Sequence, residues 1–459
     1  MKTLAKVFLI LIGLLLVLYI VGFVFFQQYF LPNTIINGKD FGLKPRANFV
    51  QTYEGIWKNH SLELSGRNER KETIYPKDFD YIEKIENYKG LNENLFYWPI
   101  HSLTRNEYKV DAKVEFNEGK LNQAIDKLSM VSSSNIKDPV PAHIGYEQGK
   151  GYVVIPAEEG DRLNKEKLKK EILSSLKAGE YQLNLEEKKA YVTAEPAEDM
   201  DKMENHAKSL NEIESYSLAY NFSDRVENLR GEDLIRLYSQ DEKGNLIPDR
   251  EKAAAYVKEL AKKYDTFKGT RDFNITGGGT VRIPGGIYGW LTDQEKTTDA
   301  LMAAMELKEP QEMKPFYSRE AQSRNVDDVG NTYIEIDIAR QHMWMYKNGE
   351  KVLDTAVVTG DPTKGNGTPT GTHVIWSRER DRYLTGATWR SHVNYWMPFN
   401  WTGCGIHDSN WRSSYGGNIY RGNGSHGCVN TPPGIADDFY NQAFHGMPVI
   451  VYNSATQKI

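Results

Sequence analysis

The chain has 459 residues, too many for a single hydrophobic core, so its length predicts roughly two to four domains. A net charge of -5 gives no basic field that would favour nucleic acid as a partner. Charged residues make up 26% of the chain and aromatic residues 12%, which excludes a disordered protein, and only two cysteines exclude a disulfide-rich scaffold.

The N-terminal stretch predicts a membrane anchor. Residues 7–26, from Val7 to Phe26, carry no charge, and such a run forms a helix about 30 Å long, which matches a bilayer core. No small-residue cleavage site follows it, as a secretory signal would require. Lys2 and Lys6 precede the run, which places residues 1–6 in the cytoplasm. We therefore predict a single-pass anchor in the cytoplasmic membrane, with the C-terminal domain extracytoplasmic.

The middle of the chain contains one structural unit twice. A pattern of Gly151, Val153, Ile155, Pro156 and Leu163 recurs with the same spacing as Gly279, Val281, Ile283, Pro284 and Leu291. In both copies a strand meets a proline, and a helix begins shortly after the leucine. Asn164 is the predicted N-cap of the first helix, and Thr292, in a capping box with Glu295, is that of the second.

These copies predict two α+β repeat domains, residues 33–210 and 211–324. Helices at about Leu121–Met130 and Arg250–Tyr264 fall at corresponding places in the two copies. The first copy is longer, and its extra residues are predicted around Glu83 to Val110. Lys314 to Gly330 is polar and aperiodic, which predicts a linker before the last domain.

Residues 325–459 predict a mainly-β, sandwich-like domain, which makes the chain multi-domain. The predicted strands are Thr332–Ile338, His342–Lys347 and Leu353–Thr359, with a hairpin turn at Asn348-Gly349. Five of the nine tryptophans crowd this domain around His407: Trp376, Trp389, Trp396, Trp401 and Trp411. We predict that most of them form the domain core and that one or two line a cleft.

A candidate nucleophile lies in the sequence Ser425-His426-Gly427-Cys428-Val429-Asn430. A cysteine reacts as the thiolate, which forms readily when an imidazole accepts the thiol proton. We predict Cys428 as the nucleophile and His407 as its base. Gly427 leaves the backbone uncovered beside the sulfur, so the N–H groups of Gly427 and Cys428 could bind a developing oxyanion.

The spacing of His407 from Ser-His-Gly-Cys-Val-Asn resembles the signature of the L,D-transpeptidases, the YkuD-type catalytic domain. This resemblance covers roughly Asn331 to Asn453, including Thr368-Pro369-Thr370-Gly371. The two repeats resemble the putative peptidoglycan-binding domain that often precedes it, most clearly from Tyr216 to Thr266. Wall binding and a rigid spacer both remain open as the role of the repeats.

The resemblance implies a cysteine acyltransferase that acts on peptidoglycan stem peptides. Cys428 would attack the third stem residue, His407 would protonate the departing D-Ala, and a neighbouring amine would complete a 3→3 crosslink. It implies no metal or organic cofactor, and it implies acylation of Cys428 by carbapenem-type β-lactams. It also implies supporting rather than chemical roles for five neighbouring residues, Ser425, His426, Gly427, Asp408 and Asn430. Of these, Asp408 would act through its main chain.

Several alternatives remain open at this point. Water as acceptor would make an L,D-carboxypeptidase, and a protein amine would give wall-protein attachment. Cys404-x-x-His407 together with His426-x-Cys428 could instead hold zinc in a wall-binding structural protein. Cys404 could also form a reversible disulfide with Cys428, or be a spectator beside the cleft.

Overall fold

The computed structural model describes residues 2–89, 91–194, 199–387 and 389–459. The chain forms two compact units, one made of Met1–Gly145 and Val154–Met200 and the other of Tyr146–Val153 and Asp201–Ile459. The boundaries predicted for the individual domains remain predictions.

The first unit combines short sheets with a small number of helices. Its helices are α1 (Lys2–Gln28), α2 (Phe49–Glu54), α3 (Trp98–His101), α4 (Glu118–Lys127), α5 (Ser129–Ser132) and α6 (Lys165–Ala178). Its strands are β1 (Thr34–Ile36), β2 (Lys39–Asp40), β3 (Leu62–Ser65), β4 (Lys71–Ile74), β5 (Ile82–Asn87), β6 (Asn106–Tyr108), β7 (Asp111–Glu115) and β10 (Gln182–Asn184). Strands β8 (His143–Glu147) and β9 (Gly151–Ile155) are each divided by the boundary between the two units. They pair as β2-β1-β6, β10-β3-β4 and β5-β7.

The predicted N-terminal helix is confirmed as α1, and by length and composition it is able to cross a membrane. The cap predicted at Asn164 is also confirmed, because its side chain accepts a hydrogen bond from Lys167 N as α6 begins. The helix predicted over Leu121–Met130 starts earlier and breaks at Leu128, whose backbone is extended between α4 and α5.

The second unit contains the second repeat and the β-rich C-terminal region. Its helices are α7 (Met200–Glu214), α8 (Glu232–Ile235), α9 (Arg250–Tyr264), α10 (Gln294–Leu307), α11 (Tyr420–Asn423) and α12 (Pro433–Gln442). Its strands before residue 320 are β11 (Leu218–Asn221), β12 (Val226–Leu229), β13 (Tyr238–Gln240), β14 (Leu246–Pro248), β15 (Arg271–Asn274), β16 (Thr280–Ile283), β17 (Leu291–Thr292), β18 (Gln311–Met313) and β19 (Tyr317–Arg319).

Two predictions for this part are wrong. Thr292 does not cap α10, because its N–H and hydroxyl both donate to the Asp265 carboxylate, and Asp293 accepts from Lys296 N in its place. The predicted linker is packed structure, since it contains β19, which pairs with β17. Its Asp328 is buried and forms an ion pair with Arg271 at 2.6 Å.

The C-terminal region is β-rich, as predicted. Its strands are β20 (Tyr333–Asp337), β21 (His342–Lys347), β22 (Glu350–Ala356), β23 (Gly371–Val374), β24 (Glu379–Thr385), β25 (Arg390–Pro398), β26 (Gly405–Asp408), β27 (Val429–Thr431) and β28 (Pro448–Tyr452). They form a five-stranded sheet, β22-β21-β20-β28-β23, and a four-stranded sheet, β24-β25-β26-β27. One apolar core contains side chains from both sheets, for example Ile336 and Met343 from the first and Met397 and Ile406 from the second.

Candidate active site

The pairing of β26 with β27 decides which side chains share a face. The two strands are parallel, with Ile406 opposite Val429 and His407 opposite Asn430. Side chains alternate along a strand, and Ile406 and Val429 both lie in the apolar core. His407 and Asn430 therefore face the other way, and Cys428 immediately precedes β27, in the loop that leads into it.

His407 is oriented by its own backbone and by aromatic rings. Its Nδ1 lies 2.7 Å from the carbonyl oxygen of Asp408, which can only accept, so Nδ1 carries the proton and Nε2 is free to accept one. The rings of Trp396 and Trp411 each have their centroids 5.9 Å from that of the imidazole. Burial lowers the pKa of His407 and so favours the neutral base. The hydrogen bond to the Asp408 carbonyl acts in the opposite direction but is the smaller effect.

The Asp408 carboxylate is used elsewhere. It accepts hydrogen bonds from the N–H and the side-chain amide of Asn394, both at 2.8 Å, and from Tyr395 N at 2.9 Å. These bonds connect the end of β26 to β25 and keep the carboxylate off the imidazole nitrogen. Asp408 hydrogen-bonds His407 through its main-chain carbonyl, and the charge of its carboxylate also raises the pKa of the imidazole.

Cys428 is a free, partly buried thiol. Its Sγ lies 3.8 Å from the carbonyl oxygen of Gly403. Burial raises the pKa of the thiol to about 12, although a hydrogen bond from the Gly405 N–H acts in the opposite direction. Both shifts favour the neutral forms of the thiol and the imidazole, so a thiolate at Cys428 would have to form by proton transfer.

The loop before Cys428 is held by its own hydrogen bonds. Ser425 Oγ donates to the Cys428 carbonyl at 2.5 Å and accepts from Gly427 N at 3.1 Å. The structure therefore places the Ser425 hydroxyl on the loop backbone and not on His407. The Gly427 N–H, predicted as an oxyanion donor, is engaged by the same hydroxyl. Gly427 has φ of 122°, and a Cβ there would lie 2.8 Å from the Cys404 sulfur, so only glycine fits.

A second group of residues positions the loop from outside, and of these only Thr368 lies in a stretch that the family resemblance had singled out. Val358 and Asn430 exchange both backbone hydrogen bonds, at 3.0 and 2.9 Å. Ser425 N donates to the Thr359 carbonyl at 3.0 Å. Thr368 Oγ1 donates to the Gly427 carbonyl at 2.8 Å. The segment after β22 and the Thr368 turn thus form the support of the Cys428 loop.

The prediction that most of the five tryptophans near His407 form the domain core is wrong. Of the five tryptophans only Trp396 is buried, whereas Trp376, Trp401 and Trp411 are exposed. The predicted supporting residue His426 stacks on Trp389, with ring centroids 5.1 Å apart and planes inclined by 19°. Trp389, Trp396 and Trp411 thus lie beside His426 or His407, and most of the five rings do not fill the domain interior.

Arg412 belongs to the site although no motif pointed to it. Its positive charge lowers the pKa of His407. Within the described ranges its Nε is buried without a hydrogen-bond partner, and burial lowers the pKa of its own guanidinium. The loop that carries it is fixed by Tyr415, whose hydroxyl donates to the Ser409 carbonyl at 2.8 Å.

Cys404 does not complete a zinc site. It is buried in the apolar core, its sulfur lies beside Gly427, and both cysteines are free. In the part of the chain that the structure describes, no group of three or more His, Cys, Asp or Glu side chains is arranged to hold a metal ion. The described residues therefore do not group Cys404, His407, His426 and Cys428 as a zinc site. The disulfide between Cys404 and Cys428 stays an open alternative.

Comparisons with known families match most of the chain from residue 80 onward. A model described as L,D-transpeptidase catalytic domain (YkuD) matches residues 331–451. A second, described as putative peptidoglycan binding domain, matches residues 80–184 and again residues 195–314. The two matches to one model confirm that the middle of the chain contains one unit twice.

Solved structures show the same similarity. The crystal structure of a cysteine-to-serine mutant of the Enterococcus faecium L,D-transpeptidase is 33% identical over 54% of this chain and 100% of that chain, with a TM-score of 0.49. The NMR structure of the E. faecium catalytic domain acylated by ertapenem is 45% identical over 27% of this chain and 98% of that one, with a TM-score of 0.25. An L,D-transpeptidase from Mycobacterium smegmatis is 25% identical over 27% and 58%, with a TM-score of 0.24. The comparison with curated proteins gives no match.

Proposed function

The chain belongs to the L,D-transpeptidase family, and we propose that it forms 3→3 crosslinks between peptidoglycan stem peptides through a thioester on Cys428. The observation that carries this proposal is the parallel pairing of β26, which contains His407, with β27, which begins directly after Cys428, while the imidazole Nε2 is left to accept a proton. A thiol and a base so arranged are the two groups that acyl transfer requires.

The first half of the reaction forms the acyl-enzyme. As the Cys428 sulfur attacks the carbonyl carbon of the third stem residue, its proton moves to His407 Nε2, and a carbon–sulfur bond forms. The carbon–nitrogen bond to D-Ala then breaks, and His407 returns the proton to the departing amine. Because the resting imidazole is neutral, it can accept the thiol proton at neutral pH.

The second half transfers the acyl group to an amine. The side-chain amine of a neighbouring third residue attacks the thioester, its proton passes to His407, and the thiol is regenerated when His407 protonates the sulfur. Water in place of the amine would give an L,D-carboxypeptidase, and a protein amine would attach that protein to the wall. Each step uses only groups of the chain and its substrates.

We also propose where the enzyme works. The apolar helix α1 follows two lysines and passes the length and composition test for a bilayer span, which supports a single-pass anchor over residues 7–26. The remaining chain would then be extracytoplasmic, where peptidoglycan lies. The two matches to a peptidoglycan-binding model support glycan binding by the repeats over a purely spacing role.

The test is the intact mass of the full chain in detergent micelles after incubation with ertapenem, which acylates the E. faecium catalytic domain. One adduct on the wild type and none on Cys428→Ala would support the acyl-enzyme. The enzyme is then incubated with a stem tetrapeptide, with and without an acceptor, and the products are identified by mass. A crosslinked dimer indicates transpeptidation, and a tripeptide indicates carboxypeptidase activity. No adduct and no D-Ala release from the wild type would exclude the proposed reaction.

A further inference from the structure

Residues 95–103 form an apolar elbow, made of a 3₁₀ turn at Leu95–Tyr97 followed directly by the short helix α3. They lie inside the stretch from Glu83 to Val110, where the sequence predicts the extra residues of the first repeat. Neither the acyl-transfer site nor the repeat pattern gives this elbow a role. It contains no Lys, Arg, Asp or Glu.

The elbow packs against the C-terminal third of α1. The ring of Phe96 lies 5.3 Å from that of Phe23, and the ring of Trp98 lies 5.2 Å from that of Phe26. The Trp98 indole N–H donates to the Tyr19 carbonyl at 3.1 Å, and the Tyr19 hydroxyl donates to the Phe96 carbonyl at 3.0 Å. Two ring contacts and two hydrogen bonds thus fix the elbow beside residues 19–26.

A glycine in α1 makes this contact possible. A Cβ at Gly22 would lie 2.2 Å from the Trp98 ring, so a larger residue at that position would displace the ring. The close approach shows that the elbow and α1 have complementary shapes. Their association is a built contact between two apolar elements of the first unit.

The outer side of the elbow is apolar and open. The exposed fractions are 69% for Phe96, 56% for Tyr97, 62% for Ile100 and 86% for Leu103. Four large apolar side chains so close together are unusual on a surface that faces water. The exposed side chains of α1 itself continue this surface, since residues 14–18 and 20–21 are also exposed apolar residues.

The elbow is also suited to lipid because its backbone makes its hydrogen bonds internally. Tyr97 N donates to the Asn94 carbonyl at 3.2 Å, Ser102 N to the Trp98 carbonyl at 2.8 Å, and Leu103 N to the Ile100 carbonyl at 3.0 Å. Backbone groups in a bilayer have no water to bind and must be paired in this way. Tryptophan and tyrosine, with an apolar ring and one polar atom, favour the membrane interface.

We propose that residues 95–103 insert into the outer leaflet of the bilayer beside α1, so that two segments hold the first unit on the membrane. The inference rests on the proposed anchorage by α1. The elbow contacts α1 near the end of the predicted span, which places it at the outer interface and not in the bilayer centre. Lipid is the occupant that covers both apolar surfaces at once.

The experiment measures the depth of single labels in the full chain, reconstituted in phosphatidylcholine vesicles. Cys404→Ser and Cys428→Ala remove the native thiols, and Ile100→Cys then carries an environment-sensitive fluorophore. Ile12→Cys, in the middle of α1, is the membrane control, and Leu43→Cys, exposed in the same unit, is the aqueous control. We expect nitroxide lipids to quench the label at position 100 several-fold more than that at position 43, with aqueous iodide giving the reverse order.

Each outcome separates the two proposals. A label at position 12 in lipid with a label at position 100 in water would overturn the elbow insertion and leave the anchor standing. Both labels in water would overturn the anchor and the insertion together. Leu103→Cys repeats the measurement at a second exposed position, so a local effect of one substitution does not decide the result. Gly22→Leu, which displaces Trp98, should move the label at position 100 toward water.

Discussion

Two buried polar clusters, one in each unit, differ in how completely their hydrogen bonds are made. In the first unit the Glu83 carboxylate, whose side chain is 3% exposed, accepts four hydrogen bonds. Its donors are Lys39 Nζ at 2.8 Å, Tyr53 OH at 2.9 Å, Trp57 Nε1 at 3.2 Å and Tyr81 OH at 3.1 Å. A fully paired network of this kind stabilises one conformation.

The cluster around His407 in the second unit is incomplete. Asn430 Oδ1 and Arg412 Nε are buried and lack a hydrogen-bond partner in the described segments. The Cys428 thiol and the His407 imidazole are both held neutral, so the reactive form exists only after a proton moves. Paired polar groups stabilise a fold, whereas the unpaired donor and acceptor near the proposed nucleophile stay available to a substrate. Substitutions in the two clusters should therefore have opposite consequences.

The largest effect is expected at His407. Replacing it in His407→Gln removes the proton acceptor, so acylation by ertapenem should slow by about 10²- to 10⁴-fold. The rate of adduct formation, followed by intact mass, measures it. The matched control is His342→Gln. His342 lies on strand β21 and hydrogen-bonds Asp354 of β22, so this variant should acylate at the wild-type rate. Equal rates for the two variants would remove His407 from the mechanism.

A substitution at Glu83 should do the reverse and change stability without changing chemistry. Glu83→Ala leaves the buried Lys39 ammonium without its partner, which should cost about 3–5 kcal/mol in the unfolding free energy of the first unit. Urea denaturation of the full chain, followed by probes in the first unit, measures this loss. The ertapenem acylation rate should stay unchanged.

The double variant Glu83→Ala with Lys39→Met tests the reason for that loss. Removing the second charge abolishes the unpaired ammonium, so part of the stability should return. If the double variant is as unstable as Glu83→Ala alone, the loss comes from the missing carboxylate contacts with the aromatic side chains and not from the buried charge.

Local signals in the sequence predicted much of the architecture. Helix α9 matches its predicted bounds, Arg250–Tyr264, because its apolar spacing, the Asp249 cap and basic residues in its last turn agree. Strand β21 also matches, because the Asn348-Gly349 turn sets where it ends. The resemblance to the family signature singled out His407 and Cys428, and the structure pairs the strand of His407 with the strand that begins directly after Cys428.

Contacts between distant residues were not predictable from the sequence. Thr292 fits a capping box locally, but Asp265 competes for its hydroxyl and wins, with a bond of 2.6 Å. Asp328 reads as a solvated linker residue until Arg271, 57 positions earlier, pairs with it. Arg412 lacks any motif, and its place beside His407 follows from the turn fixed by Tyr415.

The next effect in size concerns the pH at which Cys428 reacts. Because burial raises the pKa of the thiol to about 12, the thiol is protonated at every pH below that value. Its alkylation by iodoacetamide should then rise about tenfold per pH unit, or about 100-fold from pH 7 to pH 9, without a plateau. The measurement uses Cys404→Ser, in which Cys428 is the single thiol. A plateau below pH 8 would instead indicate a preformed thiolate–imidazolium pair.

The smallest expected effect comes from Arg412, and it tests whether the incomplete cluster is electrostatically coupled to the base. The positive charge of Arg412 lowers the pKa of His407, so Arg412→Gln should raise that pKa. Below its pKa His407 is protonated and cannot accept the thiol proton, and the acidic limb of the acylation rate should therefore move to higher pH. The rate at the acidic end should fall a few-fold while the rate near neutral pH changes little.

Arg421→Gln is the matched control for that variant, because Arg421 is exposed and bonds the Tyr420 hydroxyl at 3.0 Å. Its pH profile should coincide with that of the wild type. An Arg412→Gln profile that moves to lower pH, or not at all, would show that the guanidinium has no electrostatic effect on His407. A uniform fall at all pH values would assign Arg412 to the packing of the loop, because a structural defect lowers the rate without changing the pKa of the base.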